Sequence, residues 1–282
     1  MARLRTATGG TADEDLQGEH GLILDPALDG WDLMQRFQGS GANQGEAGDQ
    51  GGAQAIDPAD ATAAALGIFS GGVAAVAKIL NQFAYFALKK RAGVVGAALG
   101  RLVDTASLQD AQRIHYVGHS FGARLVTAAT AAMTARKPYS LSLLQAAFSH
   151  NAFGVRVRGS ANGAFRTVVA DHKVSRRIVV SHTWNDHAVG LLYAIASRAS
   201  GDVAAAIVAV TPTFGGALDI YGGMGANGPQ KMLDGEVFRA PYDGGAAPAL
   251  THPINSLLCD FIKNHSDIRT AQVGRLLVAA MG

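Results

Sequence analysis

Ser120 occupies the middle of Gly118-His119-Ser120-Phe121-Gly122, a spacing that can build a nucleophile. A serine hydroxyl attacks a carbonyl carbon well only when a base removes its proton and N–H donors face the developing oxyanion. A strand that turns sharply into a helix prepares such a serine, because it lifts the side chain above the sheet edge in a strained conformation. The residues two before and two after then approach each other, so both are expected to be small; here they are Gly118 and Gly122, with Ala123 behind. The same turn aims the amide of Phe121, at a helix N-terminus, toward an oxyanion beside Ser120.

In a chain with 35 glycines, a bare G-x-S-x-G is weak evidence, and the bland alternative is a small-residue turn without chemistry. The flanks strengthen it: Ile114-His115-Tyr116-Val117 precedes and Ala123-Arg124-Leu125-Val126 follows. They read as the apolar strand and the helix that the geometry needs.

These residues, VGHSFGARLV, resemble the nucleophile elbow of the α/β-hydrolase fold superfamily. The resemblance covers about 110–275 and implies an acid and then a histidine downstream of Ser120. Asp186, in IVVSHTWNDHAVG, follows a strand by four residues and precedes a helix, which suits the acid. Its competing role is a helix N-cap. Asp171, in a predicted helix, and Asp243, in a Pro/Gly loop, rank lower. His265 in FIKNHSDI is preferred as the histidine over His252 in THPIN, because its loop should project from the C-terminal end of a strand. The chemistry implied is that of a serine hydrolase acting on an ester, thioester or amide. His265 takes the proton of Ser120, Asp186 fixes the imidazole tautomer, and an acyl-enzyme forms. The expected partner is a small-molecule acyl substrate, with no cofactor. His182, Asp186 and His187 form a second polar group, but residues 182 and 187 have no helix-face ligand spacing, and no metal is expected. His119 reads as a packing or pocket-lining residue, its side chain directed away from that of Ser120.

The elements that must position these groups are legible from about residue 113. RIHYV, SLSLLQAAF (140–148) and RRIVVSH (176–182) read as strands. GARLVTAATAAMTARK, FRTVVADHKV, AVGLLYAIASRASG and TAQVGRLLVAAM read as helices. Continuous apolar strands between amphipathic helices predict an α/β fold, a mostly parallel sheet covered on both faces. The stretch 211–250 is rich in Gly and Pro, is expected to be irregular, and could serve as a lid or pocket wall. Residues 61–111 carry helical periodicity in two segments, VAAVAKILNQFAYFALKKRAG and GVVGAALGRLVDTASLQDAQ. Residues 1–60 are low in complexity and weakly structured by composition, with GLILDP as a lone strand candidate. The domain reading is therefore a segment 1–60 and a hydrolase-like domain 61–282.

Superfamily members place strands before the elbow, and a loop after an early one donates the second oxyanion N–H. Between residues 26 and 112 the sequence shows helices and low complexity instead, and His20-Gly21 precedes its strand candidate. The chain reads as lacking early strands, or as divergent with 39–52 or Ser70-Gly71-Gly72 supplying the donor. The other reading of function follows from the same gap: a catalytically silent or truncated hydrolase-like module that binds a partner through 61–111.

Composition bounds the remaining possibilities. The 282 residues are 48% hydrophobic and only 7% aromatic, so the core is ample and built from small side chains. With 24 basic and 22 acidic residues and no basic block interleaved with aromatics, nucleic acid is excluded as an expected partner. The single cysteine, Cys259, allows no internal disulfide and no cysteine-rich zinc site. Arg3 and Arg5 are followed by no apolar run, so no secretory signal is read. The uncharged run 61–77 falls short of the roughly 20 residues that span a bilayer and is mostly Ala and Gly, which favours a buried helix. A cytoplasmic protein is expected.

Overall fold

A computed structural model describes residues 72–108, 112–192 and 215–282, with side chains from residue 88 onward except at 191 and 192. The expectations for 1–60, GLILDP and His20-Gly21 lie outside the described residues, as do those for 61–71.

Eleven elements follow in the described residues: α1 (Gly72–Thr105), β1 (His115–His119), α2 (Phe121–Ala132), β2 (Ser140–Leu144), α3 (Arg166–Ala170), β3 (Arg177–His182), a π-helical turn (Ala188–Leu192), α4 (Met224–Asn227), β4 (Val237–Pro241), β5 (Ile254–Leu258) and α5 (Ala271–Met281). The five strands form one sheet in the order β1-β2-β3-β5-β4. Every pairing is parallel.

Alternation along the strands divides the sheet into two faces. Leu141, Leu143, Ile178, Val180 and Ile254 share one core with Ala123, Val126 and Ala129 of α2 and Val168 and Val169 of α3. Leu144, Val179 and Leu257 face the other way, onto Val273, Leu276 and Ala280 of α5. Strands buried on both sides carry apolar runs such as Ile178-Val179-Val180 of β3, whereas β2 interleaves the buried Ser140 and Ser142 with its leucines. A one-residue slip would exchange the two sets, so burial at about 1.5–3 kcal/mol per large side chain pins the register and with it the level of each strand's C-terminal end.

Corrections concern boundaries and three elements. One continuous helix, α1, replaces the two expected in 72–105. Its glycines do not break it; they let α2 approach. A Cβ at Gly96 would strike the carbonyl of Leu125, and one at Gly100 the carbonyl of Ala129. Asp104 then ties the end of α1 to the chain leaving α2, accepting from the amides of Thr134, Ala135 and Arg136. These bonds hold its carboxyl down at about 2, against the opposing effect of desolvation.

The strand expected over 140–148 stops at Leu144, because Gln145 takes a left-handed φ of 43° and turns the chain across the sheet edge. The segment 211–250 is not wholly irregular: it holds α4 and the edge strand β4. Arg239 and Pro241 hid β4, yet at an edge a charged residue and a missing N–H are both tolerated. Arg166 of α3 pairs with Glu236 just ahead of β4, with Nη1 donating to Oε2 at 2.7 Å. Of the helix expected from residue 188, only the π-helical turn Ala188–Leu192 is described. Among the described residues, no helix is long and apolar enough to cross a membrane.

Candidate active site

The elbow is built by main chain. Ser120 joins β1 to α2 with φ 57° and ψ −124°, outside the regions an L-residue favours. Such a conformation costs on the order of 1–3 kcal/mol and persists only where its surroundings hold it. Three hydrogen bonds do so. The Ser120 amide donates to Leu144 O at 3.1 Å, and its carbonyl accepts from Ala123 N at 3.1 Å and Ala147 N at 3.2 Å. The turn after β2 thus grips the serine peptide from both sides. Gln145 anchors that turn: its amide accepts from Ser181 Oγ at 2.6 Å and donates to Gly225 O at 3.3 Å.

The two glycines are not equivalent. A Cβ on Gly118 would collide with the carbonyl of Gly122 and with Ala123 Cα, whereas a Cβ on Gly122 would meet nothing within 4 Å. The expectation that both must be small is corrected accordingly. Gly118 needs its missing side chain, and Gly122 is the wall against which it packs.

Asp186 and His265 come from the C-terminal ends of β3 and β5. Asp186 is fully buried. Its Oδ1 accepts from Val189 N at 3.0 Å, which caps the π-helical turn, and its Oδ2 lies 2.9 Å from His265 Nδ1. The helix-cap role weighed for this residue is therefore met by Oδ1, which leaves Oδ2 to His265. His265 Nε2 lies 2.8 Å from Ser120 Oγ. An ionised carboxylate can only accept, so Nδ1 carries the proton facing Asp186, and the bare Nε2 of the neutral ring accepts from the Ser120 hydroxyl.

Side chains hold the two loops together. Thr183 Oγ1 donates to Asp260 Oδ1 at 2.8 Å, and Asn185 Nδ2 donates to the carbonyls of Asp260 at 3.2 Å and Ile262 at 3.1 Å. His119, the last residue of β1, adds a bond from Nε2 to His265 O at 2.8 Å, and the two rings lie 4.7 Å apart. Burial first, then the charge of His265, lowers the pKa of His119. The sequence gives no signal for this contact, because its partner lies 146 residues away. The His119 ring stands beside that of His265, the same imidazole that Ser120 meets through Oγ.

The rival assignments lie elsewhere. His252 precedes β5 at its opposite end, bonded through Nδ1 to Thr251 Oγ1 and stacked on Phe238. Asp171 is the C-cap of α3, and Asp243 turns its own loop by accepting from Gly245 N. His182, the last residue of β3, is half-buried, and desolvation pushes its pKa down to about 4, while His187 is exposed. No group of three or more potential ligands is placed to hold a metal among the described residues. Cys259 is buried, and desolvation drives its thiol up to about 12. Of the alternative oxyanion segments, 39–52, Ser70 and Gly71 lie outside the described residues, and Gly72 opens α1. Compared with known proteins, the chain matches no family model, no curated protein and no solved structure.

Proposed function

We propose that this chain is a serine hydrolase of the α/β-hydrolase type, acting on a small acyl ester, thioester or amide. The observation that carries the reading is the unbroken run of hydrogen bonds from Ser120 Oγ through the His265 ring to Asp186, across residues 145 and 79 positions apart. An all-parallel sheet with this run at its C-terminal edge supports the same reading, because such sheets collect their sites there.

The steps follow from the geometry. His265 Nε2 accepts the hydroxyl proton as Ser120 Oγ bonds to the carbonyl carbon. Negative charge moves to the carbonyl oxygen, for which the amide of Phe121, the first residue of α2, is the candidate donor at a helix N-terminus. Asp186 stabilises the imidazolium without taking its proton. His265 then delivers that proton to the departing alcohol, thiol or amine, and the acyl-enzyme remains. Water, deprotonated by the same nitrogen, releases the acid and restores Ser120.

Covalent labelling by a fluorophosphonate, with the modified peptide identified by mass spectrometry, tests the reading. The expected outcome is a single adduct on Ser120 that disappears in Ser120→Ala. Folded protein that takes up no label overturns it.

A further inference from the structure

We propose that His119 is a positioning residue that fixes the base of this site, a role that rests on the hydrolase reading above. Two consecutive residues of the elbow hold the two ends of His265. Ser120 meets its ring at 2.8 Å, and His119 meets its main-chain carbonyl at 2.8 Å.

The base loop has its own local order. Ile262 N bonds Cys259 O, Asp267 N bonds Asn264 O, and Lys263 N bonds Asp267 Oδ2 at 3.1 Å. Thr183 and Asn185 tie it to the acid loop at residues 260 and 262. All of these ties set the base relative to the acid or to its own turn. The bond from His119 joins the His265 main chain directly to the strand that carries the nucleophile. Without it, the catalytic hydrogen bond is the direct tie between them, and the remaining ties run through the acid loop and the sheet.

A carbonyl oxygen only accepts, so His119 must carry its proton on Nε2. The rings stand at 38° to one another with centroids 4.7 Å apart, so His119 also limits rotation of the base. Burial first, then the charge of His265, lowers its pKa and so favours its neutral form. A glutamine reproduces the N–H donor without a titrating group, and a phenylalanine keeps the ring while removing the donor.

The test compares His119→Phe with His119→Gln in the full chain. With an ester found to turn over, Phe should lower kcat about 10- to 100-fold at nearly constant KM, the scale of a displaced catalytic group, and Gln should recover most of it. The second readout needs no turnover. In protein with ¹⁵N-labelled histidine, the downfield Nδ1–H signal of His265 should weaken in the Phe variant and persist in the Gln variant. A Phe variant with unchanged kcat and an unchanged His265 signal overturns the proposal, as does a Gln variant as damaged as Phe. Wild-type protein that fails to label on Ser120 removes the hydrolase reading instead, and the imidazole signal still decides whether His119 positions His265.

Discussion

The elbow and the pair of loops that face it are held by different means. Around Ser120 the contacts are main chain on main chain: Leu144 O, Ala147 N and Ala123 N on its peptide, and Gly118 against the Gly122 carbonyl. Around Asp186 and His265, turns closed by main-chain bonds such as Asp186 N to Thr183 O and Gly190 N to Asp186 O are tied to one another and to the elbow by side chains, through Thr183, Asn185, His119 and the two carboxylate oxygens. Steric fixing leaves no intermediate setting, whereas a hydrogen bond can be weakened by degrees. Substitutions of the closely packed elbow backbone, at Gly118 above all, should therefore act on folding, and those of the hydrogen-bonding side chains on rate.

The sharpest way to separate the two regions is Asp186→Asn. The amide oxygen can still cap Val189, but a neutral group no longer holds the Nδ1–H tautomer of His265. The rate of fluorophosphonate labelling should fall about 10³- to 10⁴-fold with the melting temperature little changed. A loss of folding with preserved rate would erase the distinction drawn above.

Acid should act on both regions at once. His182, at the end of the strand leading to Asp186, and His150, in the turn region after β2, are both pushed down to about 4, chiefly by burial. Their folded pKa values lie below the ordinary value of 6.5, so the unfolded chain binds these protons first. The stability they contribute is complete above about pH 6.5 and drains away as the pH falls toward 4. Each should cost about 2 kcal/mol at pH 5 relative to pH 7 or above, read as the shift in urea midpoint. A midpoint unchanged between pH 7 and pH 5 would show that these imidazoles are not buried in solution.

At the elbow, Gly118→Ala should destabilise the protein by about 2–3 kcal/mol, because the methyl group meets a carbonyl and not a yielding side chain. Gly122→Ala, whose methyl group enters open space, should stay within about 1 kcal/mol of wild type. Equal melting temperatures for the two variants would show that the turn is looser than its contacts imply.

The same contrast explains what could be read from the sequence. The strand, the turn and the helix of the elbow are contiguous, so periodicity and the G-x-S-x-G spacing expose them together. β3 is visible from its apolar run Ile178-Val179-Val180 and β2 from its leucines, although Ser140 and Ser142 are buried among them. Asp186 and His265 rest on the order that the resemblance implies, and the structure sets His265 against Ser120 and Asp186 against His265. What stayed hidden was set by tertiary contact. The turn at Gln145 depends on Ser181 and Gly225, and β4 is a strand only because β5 offers it an edge. The glycines of α1 resemble breaks until α2 is seen packed on them. His119 has no meaning until the loop carrying His265 has folded over it.

The grip of the β2 turn on Ser120 also sets an order in time. An isolated segment from His115 to Ala132 contains the whole motif, yet it lacks the Leu144 carbonyl and the Ala147 amide that hold the serine peptide. Parallel strands pair only after a crossover has formed, so these contacts are among the slow ones to close. During synthesis the serine emerges well before its clamp, and the imidazole that would activate it follows 145 residues later. A nascent or partly unfolded chain thus carries an unremarkable serine, and reactivity toward a covalent probe reports completed assembly of the sheet.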